Sequence, residues 1–444
     1  MESNHRTSLL KKNIYFSFAL KGWSGAVQLL LVPLTLFCLG NYENGIWMTI
    51  SSLLLWVDHL DIGLGNGLRN KLASQLAQGD IKKARESVSS TFFMLILVMI
   101  PLALLCIVFI NTLDFYALLN IDKTVIPRLN DILMLSVACV SGTFIFKFIG
   151  NIYLGLQLPA VNNALVVCGQ TLTLILIYLL KIADIHSLML VAIAYTLAPL
   201  LVYLCAWPIT FNVRYPHLKP SIAYFNKNAV FELFNIGIKF FILQIAGLIL
   251  FTSSNVMISH FFSPEMVTPY QIAYRYFSFT MMIFTIIAMP FWSATTDAYE
   301  KKDYVWIAKS IRSLQKILLL LAVCLILMVI FSKPIYYIWV NIWVGNDVVI
   351  PLSITICMAF YMMIIISSLC YSYFLNGFGI LRLQIIFSLM AAVVYFPLAW
   401  LLSRWLDVTG MLLALCLVNI PGAVVNMLQF HKIMNGTGKG IWIK

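Results

Sequence analysis

Runs of about 20 apolar residues follow one another from one end of this 444-residue chain to the other. A helix rises 1.5 Å per residue, so each run is long enough to cross a hydrocarbon core of roughly 30 Å. With 61% of residues hydrophobic, 10% charged and a mean hydropathy of +0.93, the chain lies far outside the roughly 45 to 50% apolar share of soluble domains. A water-soluble globule is excluded, and the membrane is the solvent of the fold. The opening residues, MESNHRTSLLKKNIYF, lack a short apolar core followed by a small-residue cleavage site, so the first helix is expected to stay in the protein.

The apolar runs predict an all-α polytopic membrane protein with about twelve transmembrane helices, near 13–38, 46–62, 88–111, 130–153, 159–181 and 187–211, then 229–260, 267–293, 310–331, 351–375, 381–403 and 408–431. The basic, proline-containing stretch 212–228 divides them, giving a six-helix bundle over 1–211, a linker over 212–228 and a second six-helix bundle over 229–444. Two short matches suggest an internal repeat: Asn13-Ile14 with Asn235-Ile236, and the polar segments around Asp80 and Asp303, both of which look like amphipathic helices. Parallel six-helix repeats are one architecture of secondary transporters, with the substrate path between the halves.

Placing the N-terminus in the cytoplasm puts 20 Lys and Arg on the cytoplasmic side and 5 on the other. The positive-inside rule therefore sets both termini in the cytoplasm. This asymmetry accounts for much of the +12 net charge, which reads as attraction to anionic membrane lipids, with no nucleic-acid partner expected. Nine cysteines stand singly inside apolar runs and six histidines are dispersed, so neither a metal site nor a cofactor is expected.

Four cations fall inside the spans: Lys21, Lys147, Lys239 and Arg275. At about 2.5 to 3.5 kcal/mol each, they cost roughly 10 to 14 kcal/mol before snorkelling and water relieve part of it. Few acids are placed to pair with them: Asp58 and Asp61 near the end of the second span, and Glu232 at the start of the seventh. Lys21 lies about 12 Å inside its helix. Under the repeat, Lys239 matches a position one helical turn from it, so each half presents a cation on its first helix. Together these residues suit a polar cavity for an anionic group such as a diphosphate, which Arg275 would hold bidentately. The alternatives are a structural ion pair for Arg275 and snorkelling for Lys147, six residues from Tyr153. Trp23, Tyr274 and Tyr276 flank the cations and either stack on sugar rings or pack. Asp58 and Asp61 either pair with Arg69 and Lys71 as a gate or couple proton binding to gating.

The segment GIWMTISSLLLWVDHLDIGLGNGLRNKLASQLAQGDIKKAR, residues 45–85, resembles the polysaccharide transporter family, the O-antigen (Wzx-type) flippases of the multidrug/oligosaccharidyl-lipid/polysaccharide exporter superfamily. The resemblance extends more loosely over the whole chain through the twelve-span pattern, the membrane cations and the segment Asp297 to Ser310. It implies a V-shaped, alternating-access transporter, expected to be monomeric, that carries undecaprenyl-diphosphate oligosaccharides across a bacterial inner membrane. Glycosyltransferases and a polysaccharide polymerase would be its partners. Within the segment, GLGNGLRNK is not a GxGxxG between strand and helix, so it reads as a helix-ending turn and not as a nucleotide site. A cation-coupled multidrug exporter of the same superfamily is the nearest rival, although such proteins need membrane acids and here cations predominate. A membrane-embedded polymerase or ligase would need a catalytic cluster on a large external loop, and the external connections are short. The chain is accordingly expected not to be an enzyme, and no filter-like loop suggests a channel.

Overall fold

The computed structural model describes residues 2–58, 64–156, 158–227, 253–300, 302–342 and 348–443. Among them every long element is a helix and no strand occurs. In order these are α1 (Glu2–Asp58), α2 (Leu64–Ala77), α3 (Ile81–Thr112), α4 (Phe115–Leu119), α5 (Leu129–Gly155), α6 (Pro159–Ile182) and α7 (Leu188–Pro208). They continue with α8 (residues 253–261), α9 (Val267–Glu300), α10 (Tyr304–Ile330), α11 (Ser332–Tyr336), α12 (Leu352–Phe378) and α13 (Arg382–Met434). Eight described helices are long and apolar enough to cross a membrane.

Two of those eight are too long for a single crossing. The 53 residues of α13 would extend about 80 Å, against a core of roughly 30 Å. It breaks at Leu406 and at Asp407, which has φ 49°. Three residues on, a Cβ at Gly410 would collide with the carbonyl oxygen of Leu402, so only glycine lets the chain double back so tightly. In α1 the break is at Gly40, with φ 66° and ψ −178°. The paired spans expected at 13–38 and 46–62, and at 381–403 and 408–431, are thus the two arms of α1 and of α13. The expected seventh span falls outside the described residues except for its end, which is α8.

The chain forms two compact units, one of Met1–Ile245 with Ser259–Glu265 and the other of Ala246–Ile258 with Met266–Lys444. In the first, α6 packs on α1 and α7, and α5 on α3 and α7. Its buried core runs through Phe148, Ile152 and Phe211, with Phe92 and Trp207 against them at ring separations of 4.7 to 6.0 Å. In the second, α12 packs on α13 and α9, and α10 on both α9 and α12, around Phe284, Phe374 and Phe430. Within that unit the buried amide of Asn426 on α13 donates to Ser368 Oγ and Ser372 Oγ of α12 at 2.9 and 3.0 Å. Polar bonds of this kind join helices where hydrocarbon supplies no hydrophobic force between them.

The suspected repeat is visible at atomic detail where α2 passes into α3 and α9 into α10. Gly79 and Lys302 both have positive φ, 74° and 59°. Asp80 N–H donates to Gln75 O at 3.0 Å and Asp303 N–H to Ala298 O at 2.8 Å. Each aspartate then caps the following helix, its carboxylate accepting from Lys83 N–H and from Trp306 N–H at 3.0 Å. The amphipathic segments expected after these aspartates are the first turns of α3 and α10, continuous with the spans. The run GLGNGLRNK does not end a helix: from Leu64 onward it is the start of α2.

The basic stretch after α7 lies along α3. Ser221 N–H and Asn226 N–H donate to Ser89 Oγ and Ser90 Oγ at 3.2 and 2.9 Å, and the Arg85 guanidinium stands 4.3 Å from the Tyr224 ring centre. On the same unit, Ser259 Oγ donates to Leu119 O at 2.6 Å and Asn120 Nδ2 to Phe262 O at 2.9 Å. The Asp80 carboxyl is held below its ordinary pKa by hydrogen bonds from the Lys83 side chain and backbone. That contribution is present above the ordinary carboxylate value and is lost as pH falls through the lowered one.

Three thermal-unfolding measurements in detergent check this account. Lys302→Gly, which relieves a left-handed lysine, is expected to raise stability by about 0.5 to 1 kcal/mol. Asp303→Ala is expected to lower it by about 1 kcal/mol. Asn426→Ala is expected to lower it by about 1 to 2 kcal/mol, whereas Asn419→Ala, whose amide bonds only Leu415 O of its own helix, should change it little.

Candidate functional site

Inside the first unit, α1, α5, α6 and α7 enclose a cavity of about 400 Å³. Each helix contributes because its inward face interrupts an apolar run with small or polar residues: Ser51 on α1, Thr143 and Lys147 on α5, Gly169 and Gln170 on α6, Tyr195 and Thr196 on α7. Leu54, Val140, Leu165 and Trp47 complete an otherwise apolar wall. Among the described lining residues Lys147 is the one that carries charge, and none is a carboxylate.

Lys147 lies eight residues before Gly155, the end of α5, or about 12 Å along the helix. At this position its side chain lines the cavity. The hydroxyls around it have a shared chemistry. Ser51 donates to Trp47 O at 2.7 Å, Thr143 to Cys139 O at 2.9 Å and Thr196 to Ala192 O at 2.7 Å. Each hydroxyl spends its proton on a carbonyl four residues back, so what its oxygen has left is acceptor capacity. The wall therefore offers acceptors to a ligand that donates, as a sugar does, and one ammonium group to a ligand that is anionic.

Bonds between α1 and α6 fix the rim. Ser24 Oγ donates to Gln170 Oε1 at 2.6 Å, and Trp23 Nε1 donates to Thr171 Oγ1 at 3.0 Å. Farther along, Thr35 and Tyr195 share a hydrogen bond of 2.7 Å, and the Tyr195 ring lies 5.2 Å from that of Trp47. Lys21 is exposed on the same stretch of α1 as Trp23, whose ring is 49% exposed with its N–H satisfied. The structure thus places Lys21, Trp23 and Lys147 in one unit and ties the segment carrying the first two to a cavity residue, Gln170.

The other expected residues lie on α9 in the second unit. Arg275 and Tyr274 are half-buried. Tyr276 is buried: its hydroxyl donates to Met328 O at 3.2 Å, and its ring meets Phe277, Tyr336 and Trp339 at 4.9, 5.2 and 6.4 Å. The sugar-stacking alternative for Tyr276 is corrected accordingly, because aromatic neighbours occupy its surroundings and it packs. Lys239 and Asp61 lie outside the described residues. Asp58 ends α1, and its side chain also lies outside the described set.

Sequence reasoning singled out charges and missed the neutral polar residues. Ser24, Ser51, Thr143, Gln170 and Tyr195 each interrupt an apolar span, which is the signal that marked the lysines, but serines and threonines satisfied by their own helix are common enough to conceal it. A buried polar group in the second unit was missed for the same reason. There Ser254 and Tyr395 share a hydrogen bond of 2.8 Å, and Gln271 donates to Asn255 at 2.6 Å.

The helical architecture is similar to that of solved MATE family transporters. An inward-facing multidrug resistance MATE family transporter of the MOP superfamily matches with a TM-score of 0.77 at 13% identity, covering 93% of this chain and 95% of that one. An outward-facing structure of such a transporter matches with a TM-score of 0.66 at 14% identity and 96% of each chain, and a MATE in complex with MaD3S with 0.66 at 13% identity and 96% of each chain. The chain belongs to the polysaccharide biosynthesis protein family, whose model matches residues 10–295. No curated protein matches the sequence significantly. At 13 to 14% identity the likeness to the solved transporters shows the fold, that of a multi-pass membrane protein.

Packing and site roles separate in one experiment. Tyr276→Ala is expected to destabilise the protein by about 3 kcal/mol. Trp23→Ala and Lys147→Gln are expected to stay within about 1 kcal/mol of the parent while reducing transport, as read by thermal unfolding alongside a transport assay.

Proposed function

We propose that this protein is a flippase that moves an anionic, lipid-linked oligosaccharide, of the undecaprenyl-diphosphate class used for O-antigen or related surface polysaccharide, from the cytoplasmic to the outer leaflet of a bacterial inner membrane. The observation that carries the reading is the cavity of the first unit, where one lysine supplies the charge beside the hydroxyls of Ser51, Thr143 and Thr196, which have donated their protons to their own helices. A diphosphate would engage Lys147 on that wall, Lys21, Lys239 and Arg275 are proposed as further substrate-binding cations, and sugar hydroxyls would donate to Ser51, Thr143 and Thr196. Trp23 and Tyr274 would stack on sugar rings, and Asp58 and Asp61 would act at the gate. Both termini lie in the cytoplasm on the count of basic residues. The chain works as a monomer, receiving its lipid from glycosyltransferases and handing it to a polymerase, with no cofactor.

The second reading, a cation-coupled multidrug exporter, is favoured by the fold likeness to multidrug resistance transporters and by the aromatic residues Trp47, Tyr195 and Tyr203 on the cavity wall. A cationic drug would need a carboxylate to replace its hydration, and the described wall offers a lysine.

In a strain that depends on this protein, single Gln substitutions at Lys21, Lys147, Lys239 and Arg275 are expected to lower surface glycan at least about tenfold, the effect of losing one charge-assisted contact of about 1.5 kcal/mol or more, with unchanged membrane abundance and accumulation of the lipid-linked precursor. Unchanged glycan in all four variants, with lowered drug resistance instead, would establish the exporter reading.

A further inference from the structure

Beside that cavity, α6 and α7 leave a second depression of about 380 Å³. Leu165 lines both spaces and forms the partition between them. The second groove is apolar along most of its length, walled by Leu172 on α6, by Leu201 and Cys205 on α7 and by Ile209 just beyond it. Its polar groups gather at one end: Tyr153 and Thr210, whose hydroxyls share a hydrogen bond of 3.0 Å, and Arg214.

The chain directions explain that gathering. Tyr153 lies at the end of α5, α6 begins at Pro159, and α7 runs out through a π-helical segment, Ile209–Arg214, so all three elements reach the same end of the bundle. The π segment follows Pro208, and its register is held by Tyr215 N–H donating to Thr210 O at 2.7 Å. Short π segments of this type recur at functional sites. From Val161 to Leu172 the groove follows α6 for about 17 Å, which is about half of a roughly 30 Å hydrocarbon core.

We infer that this groove holds one acyl chain of an anionic glycerophospholipid from the adjacent leaflet, with its headgroup phosphate on Arg214. An apolar channel one leaflet deep, open toward the outside of the bundle and ending in a guanidinium, matches an amphiphile with its anion at the membrane surface. Arg214 is exposed at the end of the span Leu188–Arg214 and makes no ion pair among the described residues. Its planar fork matches phosphate oxygens, and basic sites between membrane helices bind anionic headgroups. The groove is separate from the cavity assigned to transport, so the inference stands whichever substrate is carried.

The test is native mass spectrometry of the full-length protein in detergent, with phosphatidylglycerol or phosphatidylcholine added. The parent should retain phosphatidylglycerol about fivefold better, the size expected for one cation beside an anionic headgroup. Arg214→Gln should abolish that preference and Arg214→Lys should keep part of it, while Lys227→Gln, a surface cation outside the groove, should leave it intact. Cys205→Trp, which fills the groove, should lower retention of both lipids, and millimolar inorganic phosphate should displace neither. Unfolding midpoints near that of the parent would show that the variants are folded. Equal retention by the parent and Arg214→Gln would overturn the inference. Displacement by free phosphate would also overturn it, by showing an anion site without a chain. Preferential displacement by a polyprenyl phosphate would overturn it in favour of the carrier lipid as the occupant.

Discussion

A backbone in hydrocarbon must satisfy its own hydrogen bonds, and the rest of this structure follows from that requirement. Its long elements are helices, and the chain reverses only where a residue permits a local break. Gly40 and the Leu406–Asp407 pair, with Gly410 beyond it, are such places. Each converts a helix too long for the membrane into two arms. The same requirement governs the side chains of the cavity, whose hydroxyls donate to carbonyls of their own helices. An apolar span can thereby carry serine and threonine at little cost while its inner wall acquires acceptors.

Charge is treated differently. A lysine has no acceptor capacity and cannot satisfy itself within its helix, so it must reach water, a counter-ion or a ligand. Lys147 lines a cavity, Lys21 is exposed, and the cations of the α7 end lie outside the apolar packing. The neutral bonds of Ser24 to Gln170 and Trp23 to Thr171 hold the α1 segment that bears Lys21 beside the cavity. Neutral groups fix the geometry there.

The two halves share more than a count of helices. At 13 to 14% identity to solved transporters, most side chains record little of the common architecture. The junction at Gly79-Asp80 nevertheless recurs at Lys302-Asp303, with the same left-handed residue, the same backbone bond and the same carboxylate cap. A helix that ends beside the membrane and must restart at once has few ways to satisfy its free N–H groups. An aspartate cap after a left-handed residue is one of them, and it stands at both junctions.

The sequence by itself determined the class of fold, the position of nearly every described span, the repeat anchored at Asp80 and Asp303, and which cations stand inside apolar runs. These follow from one-dimensional quantities: the length of an apolar run set against bilayer thickness, and the high cost of a charge within it. The tertiary structure decided what neighbours determine. It put Tyr276 into packing and Lys147 on a cavity wall, although both interrupt apolar runs, because burial depends on which helix face meets another helix. It made GLGNGLRNK the start of a helix, since glycine permits a turn without requiring one. It also revealed Gln170, Ser51 and Thr143 as cavity residues and Arg214 as the end of a groove, because a cavity belongs to several helices at once and no single run encodes it.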